Sequence, residues 1–256
     1  LSKAPEVLPE EAIYVLKKAN ATLVLLDHSK VELMASIQKQ AIASNMNPIG
    51  WISIEISRAP LGDTLSVRTD ANLTMSPERP ALLLLTSGTS GPPKIVVHAR
   101  RIFYSQPEPC GGPTDVFLFH RPVFWIGGIR MIMAVVLKGI RTEMLCYRAK
   151  ADAVWERLRQ GDITMMFLPV SLLSNMMMVF EEKLCQLPDA ELRVYHEIMG
   201  NIRYIQCTGG LVPVRIKQFW RNLLTGTSLE VNYAGTEVGT AALGFSINSL
   251  EMAEVS

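Results

Sequence analysis

The sequence predicts an α/β fold with mostly parallel sheets flanked by helices, and three observations carry that reading. Apolar runs of strand length alternate with amphipathic stretches of helix length, the pattern of strand–crossover–strand units. Some strand runs, such as residues 81–85, are short and continuously apolar. The 256 residues are 48% hydrophobic with a formal net charge of +1, a composition of a folded globular protein able to bury a sizeable core.

The elements follow in order. Pro9, Glu10 and Glu11 open a helix whose apolar face is Ile13, Leu16 and Ala19, because early carboxylates favour a helix start. Residues 22–26 read as a buried strand, 31–43 as a helix and 52–56 as a weaker strand. The polar, Pro- and Gly-containing stretch 57–79 reads as a connecting loop. Strand 81–85 runs directly into a Gly- and hydroxyl-rich segment, and 95–98 resumes an apolar pattern. Strand–helix units then follow: 116–119 with 127–137, 142–146 with 151–160, 163–167 with 170–180, and 202–207 with 214–224. Residues 228–231 form a last strand. Met176, Met177 and Met178 lie on one of these helices and are read as adaptable core filler.

Composition excludes several function classes. The 25 basic and 24 acidic residues are interspersed, whereas nucleic-acid binding calls for basic residues clustered on one face. Cys110, Cys146, Cys185 and Cys207 lie far apart with no C-x-x-C pair, which speaks against a zinc site or a disulfide framework and for a reducing, cytoplasmic setting. The longest uninterrupted apolar run, 131–137, is too short to span a bilayer. The first residues carry no signal-peptide pattern, and the chain opens with Leu1, which reads as a fragment, a processed form or an incomplete gene model. His28 and His196 have no ligand cluster around them in the sequence, and His98 and His120 read as ordinary loop or strand-end residues.

The segment Thr86, Ser87, Gly88, Thr89, Ser90, Gly91, Pro92, Pro93, Lys94 carries the functional argument. Its glycines admit backbone angles closed to other residues, so the main chain can turn tightly and aim N–H groups inward at an anion. Hydroxyls add donors and Lys94 a full charge. At about 1.5–3 kcal/mol for each charge-assisted hydrogen bond, several together hold a polyphosphate. The spacing matches neither G-x-x-x-x-G-K-[ST] nor G-x-G-x-x-G.

This segment resembles the phosphate-binding signature T-S-G-[ST]-T-G-x-P-K-G of the adenylate-forming superfamily of acyl-CoA synthetases, luciferases and peptide-synthetase adenylation domains, with Ser90 for the second Thr and Ile95 for the closing Gly. Three further segments match in order. Residues 122–128, Pro-Val-Phe-Trp-Ile-Gly-Gly, resemble P-[LM]-F-H-x-x-G, with Trp125 where His is common. Residues 208–213, Thr-Gly-Gly-Leu-Val-Pro, resemble the G-G-A-P turn beside the adenine, and 232–237, Asn-Tyr-Ala-Gly-Thr-Glu, resemble N-x-Y-G-x-T-E with Ala234 where Gly is usual.

The resemblance implies an AMP-forming acid–thiol ligase. A carboxylate attacks the α-phosphate of ATP, and the thiol of coenzyme A or of a carrier protein then takes the acyl group. It implies that Thr86, Ser87, Thr89 and Lys94 hold the β- and γ-phosphates, within the loop that Gly88, Ser90 and Gly91 complete. Thr236 then contacts the α-phosphate, Glu237 binds Mg²⁺, and Gly209, Gly210 and Tyr233 border the adenine. Lys94, Thr236 and Glu237 would serve the chemical step, and Trp125, Gly127 and Gly235 would line the acyl pocket. No carboxylate lies beside Phe124, Trp125 and Ile126 to pair a substrate ammonium, so the expected acid lacks an α-amine.

On the same resemblance, residues 1–256 form a partial N-terminal AMP-binding domain. On that resemblance a ribose-binding Asp, a hinge and a small C-terminal domain with a catalytic Lys are expected to follow Ser256, so none of them is assigned. Loss of that Lys would lower the rate by roughly 10²–10³-fold, comparable with loss of one oxyanion donor, so the chain alone is expected to be weakly active or inactive. Missing strands would leave sheet edges that invite aggregation. Two alternatives stand beside the ligase: a non-catalytic relative that binds nucleotide or a protein, and a carrier-loading module of a larger synthase.

Overall fold

The computed structural model describes residues 8–55, 70, 72–86, 91–103, 111–145, 149–225, 227 and 229–246. The chain divides into two compact units, Leu1–Arg100 and Arg101–Ser256.

In the first unit, helix α1 (Pro9–Lys18) has Pro at its first turn, where a missing N–H costs nothing, followed by Glu10 and Glu11; Lys17 and Lys18 close it against the negative end of the helix dipole. Asn20, at φ 48°, turns the chain out of the helix. Strand β1 (Leu23–Asp27) pairs in parallel with β2 (Gly50–Ile54), and helix α2 (Val31–Ala43) makes the crossover that a parallel pair requires. Ile13, Ile37 and Ala41 form the local core with Leu16 and Trp51 packed against it. The weak strand expected at 52–56 thus lies two residues earlier. Strand β3 (Pro80–Leu85) pairs antiparallel with β4 (Ile95–Ala99), with Leu85 opposite Ile95, so the Gly- and hydroxyl-rich segment is the tip of a hairpin. Of the loop expected at 57–79, residues 57–69 and 71 lie outside the described residues.

The second unit holds, among the described residues, one six-stranded sheet. Its elements are β5 (Val116–Phe119), α3 (Ile126–Leu137), β6 (Arg141–Met144), α4 (Ala151–Arg159), β7 (Met165–Pro169), α5 (Val170–Glu182), α6 (Asp189–Asn201), β8 (Tyr204–Thr208), α7 (Val214–Leu223), β9 (Leu229–Gly235) and β10 (Gly239–Ser246). The strand order is β10-β9-β8-β7-β5-β6, parallel throughout except for β10, which runs antiparallel to β9.

Strands β5 and β7 share their side chains between two cores. Val116 and Leu118 of β5 and Met166 and Leu168 of β7 face a core built with α4, α5, α6 and α7. Phe117 and Phe119, with Met165 and Phe167, face a second core with Met131 and Val135 of α3. This is why those strands read as unbroken apolar runs: both faces are covered. The chain leaves β5 for β6 on one side and returns past β5 to β7 on the other. Right-handed crossovers then place α3 and α4 on opposite faces of the sheet, as the two cores require.

Met176 and Met177 are core, as expected, while Met178 is half exposed. Two elements escaped the sequence reading. Helix α6 carries readable signals: Pro188 before it, Asp189 and Glu191 in its first turn, and Tyr195, Ile198 and Met199 on its buried face. Strand β10 carries none, because it is rich in Gly, Ala and Ser instead of β-branched residues. No helix among the described residues is long and apolar enough to cross a membrane.

Candidate functional site

The hairpin β3–β4 positions the predicted phosphate loop. The Thr86 N–H donates to the Lys94 carbonyl at 2.9 Å, and the Lys94 N–H donates to the Thr86 hydroxyl at 3.0 Å. These two bonds close the neck of the loop, so Thr86 has a structural duty in addition to the one expected of it. Gly91 has φ +144°, which strains any residue with a Cβ, although a Cβ there would meet no atom within 4 Å; conformation, not space, requires the glycine. Lys94 is exposed at the loop exit. Behind the loop, the Tyr14 hydroxyl donates to the Pro93 carbonyl at 3.1 Å. A cavity of about 290 Å³ lies there, lined by Glu10, Glu11, Tyr14 and Pro93 among others, and its two carboxylates make it unfit for phosphate. Ser87, Gly88, Thr89 and Ser90 lie outside the described residues.

The other predicted residues belong to the second unit. Strands β5, β7, β8 and β9 run parallel, so the segments after them emerge along one sheet edge. Trp125 and Gly127 follow β5, Gly209 and Gly210 follow β8, and Gly235 to Glu237 follow the exposed Tyr233 of β9. Strand order reverses between β5 and β7, because β5 has β6 on one side and β7 on the other. A reversal of that kind leaves a crevice at the carboxyl ends of the strands, where open α/β sheets take their ligands.

Such a crevice is present. A cavity of about 240 Å³ is lined by His120, Arg121, Trp125, Ala149, Ser171 and Asn175, with Pro122, Pro169 and Leu172 completing it. Trp125 is 49% exposed and meets Phe124 edge-on at 6.4 Å, so it is a wall of the cavity and not the core aromatic that its residue type also allows. His120 is buried, with Nε2 placed 3.1 Å from the Ala149 carbonyl; burial holds its pKa below the usual histidine value, and the nearby Arg121 charge adds to this. It is a strand-end residue as expected, but one that lines the cavity. His98 is buried within β4.

Arg121 is the residue the sequence reading passed over. Its guanidinium donates to the Thr208 carbonyl at 3.1 Å and lies 4.5 Å from the Phe167 ring centroid and 5.9 Å from that of Trp125. A Cβ added at Gly127 or at Gly209 would come within 4.0 Å of the same guanidinium. Two glycines from different motifs thus border one cation, at ordinary contact distance. Gly209 also needs its glycine for φ +92°.

The Thr236–Glu237–Val238 turn joins β9 to β10 through a bond from the Val238 N–H to the Gly235 carbonyl at 3.3 Å. Gly239, at φ +71°, completes this tight hairpin. Glu237 is exposed, and its Oε2 stands 3.7 Å from where a Gly235 Cβ would lie. Among the described residues no group of three or more His, Cys, Asp and Glu side chains gathers for a metal. A single exposed carboxylate nevertheless suits Mg²⁺, which keeps several waters and takes its remaining oxygens from one or two carboxylates and from phosphate.

Cys207, on β8 beneath Arg121, is fully buried, and burial pushes its thiol up to about 12, with Arg121 pulling weakly the other way. A thiol at that value holds almost no thiolate near neutrality. Treatment of the folded chain with iodoacetamide at pH 8 is expected to alkylate the exposed Cys185 and leave Cys207 unmodified in a peptide mass map. Rapid labelling of Cys207 would contradict this packing. Cys110 and Cys146 lie outside the described residues.

Comparison with known proteins agrees with this layout. The acyl-CoA ligase oryP of Aspergillus oryzae is 32% identical over 235 residues, which cover 90% of this chain and 42% of that protein. The probable CoA ligase CCL8 of Humulus lupulus is 24% identical over 247 residues, covering 89% and 40%. The chain thus spans about two-fifths of the length of these relatives. The structure of O-succinylbenzoate coenzyme A synthetase from Bacillus subtilis, in complex with ATP and magnesium ion, superimposes with a TM-score of 0.66 at 19% identity over 96% of this chain and 46% of that one, a likeness of fold. The family model described as AMP-binding enzyme matches residues 4–254. Its extent along the chain, with the loop, turn and crevice motifs in order, places this chain in the AMP-binding enzyme family.

Proposed function

We propose that the chain supplies the nucleotide- and acid-binding core of an enzyme that activates a carboxylic acid with ATP and passes the acyl group to the thiol of coenzyme A. The observation that carries this reading is the closed β3–β4 hairpin, whose neck bonds hold Thr86 against Lys94 and whose Gly91 adopts a conformation closed to other residues. The CoA ligase relatives support the thiol acceptor.

In the first step a substrate carboxylate oxygen attacks the α-phosphorus of ATP. A P–O bond forms, the α–β bridging P–O bond breaks, and pyrophosphate leaves. In the second, the sulfur of the thiol attacks the acyl carbon, the C–O bond to AMP breaks, and the thiol proton goes to solvent. Charge accumulates on the phosphate oxygens in the first step, so fixed donors aimed there lower the barrier. Thr86, Ser87, Thr89 and Lys94 bind the β- and γ-phosphates, Thr236 the α-phosphate, and Gly209, Gly210 and Tyr233 border the adenine. Mg²⁺, held by Glu237, offsets phosphate charge when bound. The cavity beside Trp125 takes the acid. No carboxylate lines it and a cation does, an arrangement that repels an α-ammonium and supports an acid without one.

Lys94→Met tests the loop. Its charge-assisted contact is worth about 1.5–3 kcal/mol, so ATP binding by titration calorimetry is expected to weaken about 10- to 150-fold with the fold unchanged by circular dichroism. Unaltered ATP affinity would remove the loop from the nucleotide site.

A further inference from the structure

Arg121 is 7% exposed, which makes it a buried cation. Burial pulls its pKa down to about 10. Among the described residues no carboxylate forms an ion pair with it, and its Nε–H has no hydrogen-bond partner. The Thr208 carbonyl and the Phe167 face satisfy part of the guanidinium without neutralising it. The other arginine with the strongest partners makes the contrast: Arg157 is held by both Glu143 and Asp162. A buried charge without a counter-ion is costly, and folded proteins normally pair it. Arg121 meanwhile lines the cavity at the β5/β7 reversal, where no acidic residue stands.

We propose that the counter-ion of Arg121 is a second carboxylate on the substrate, so that the cavity selects a small dicarboxylic acid whose far carboxylate is held at Arg121 while the near one reacts. This rests on the acid-activating reading above. The size agrees, because drug-sized ligands occupy cavities of about 300–1,000 Å³ and this one, at about 240 Å³, fits a small acid. Ser171 and Asn175 add neutral hydrogen-bonding groups along the wall.

The test is binding of succinate, glutarate and adipate against the chain-matched butanoate, pentanoate and hexanoate, measured calorimetrically on the full chain without nucleotide. Wild type is expected to prefer at least one dicarboxylate about 10- to 100-fold over its match, the scale of a charge-assisted pair. Arg121→Met is expected to erase that preference, and Arg121→Lys to keep part of it. Equal binding of both acid series by wild type overturns the proposal, and needs no variant to fold. So does an Arg121→Met chain that loses both series equally, since the guanidinium would then hold the reacting carboxylate. Because no ATP is present, failure here is separable from failure of the adenylation reading, which calorimetry with ATP and pyrophosphate exchange address.

Discussion

Trp155→Ala is expected to lower folding stability by about 3–5 kcal/mol, read as a shift of the urea unfolding midpoint by far-UV circular dichroism. Trp155 is fully buried at the junction of α4, α5, α6 and α7. Its indole stacks on Trp220 at 6.1 Å with planes 9° apart and meets the Tyr195 ring edge-on at 5.9 Å. Its Nε1–H donates to the Met176 carbonyl at 3.0 Å. Truncation therefore opens a large cavity and removes the indole's bond to a carbonyl inside α5. Domains are stable by roughly 5–15 kcal/mol, so this one residue carries a large share. Trp155→Phe keeps most of the ring area but loses the donor, and its loss is expected to be smaller, about 1–3 kcal/mol. Equal midpoints for wild type and Trp155→Ala would contradict the packing described.

The second large effect is at Gly128. A Cβ there would stand 1.9 Å from the Pro122 carbonyl oxygen and 2.7 Å from its carbon. Neither atom can swing aside, because both are backbone and that oxygen also accepts the Trp125 N–H at 3.1 Å in the turn that starts α3. Gly128→Ala is expected to cost about 3 kcal/mol or more through this overpacking, despite a gain of about 1 kcal/mol from helix propensity. At Gly127 the nearest neighbour is the Phe167 ring at 3.4 Å, an ordinary contact. Gly127→Ala is therefore expected to stay within about 1 kcal/mol of wild type, and thermal unfolding of the two variants side by side checks the contrast. Similar melting for both would refute the close approach of α3 to Pro122. Two glycines that look equivalent in the sequence thus differ in duty: Gly128 is needed for backbone proximity, whereas a Cβ at Gly127 would meet its neighbours only at ordinary contact distance.

Much of this molecule is legible in the order of its residues. The strand at 116–119 and the helix at 151–160 match β5 and α4 to within a residue, because a run covered on both faces and an apolar stripe at helical spacing are local patterns. The hairpin loop is legible through Gly91 and the two prolines. Its hydrogen-bonded neck is not, since Thr86 and Lys94 are joined by the pairing of β3 with β4. Helix α6 has local start signals and an apolar face that a closer reading of 188–199 finds, whereas β10 is held mainly by its partner β9, which no local propensity discloses.

The amino-acid sequence by itself determined the fold class, the family and the ordered motif segments, because glycine conformation, apolar period and hydroxyl-rich turns act over a few neighbouring residues. The tertiary structure alone decided that the strand order reverses between β5 and β7, that α3 packs apart from α4 to α7, and that Arg121 lies buried over Phe167 at the resulting crevice. An arginine in a sequence reads as surface charge. Whether it is buried depends on which strands come to flank it, and that is settled by long-range pairing of segments distant along the chain.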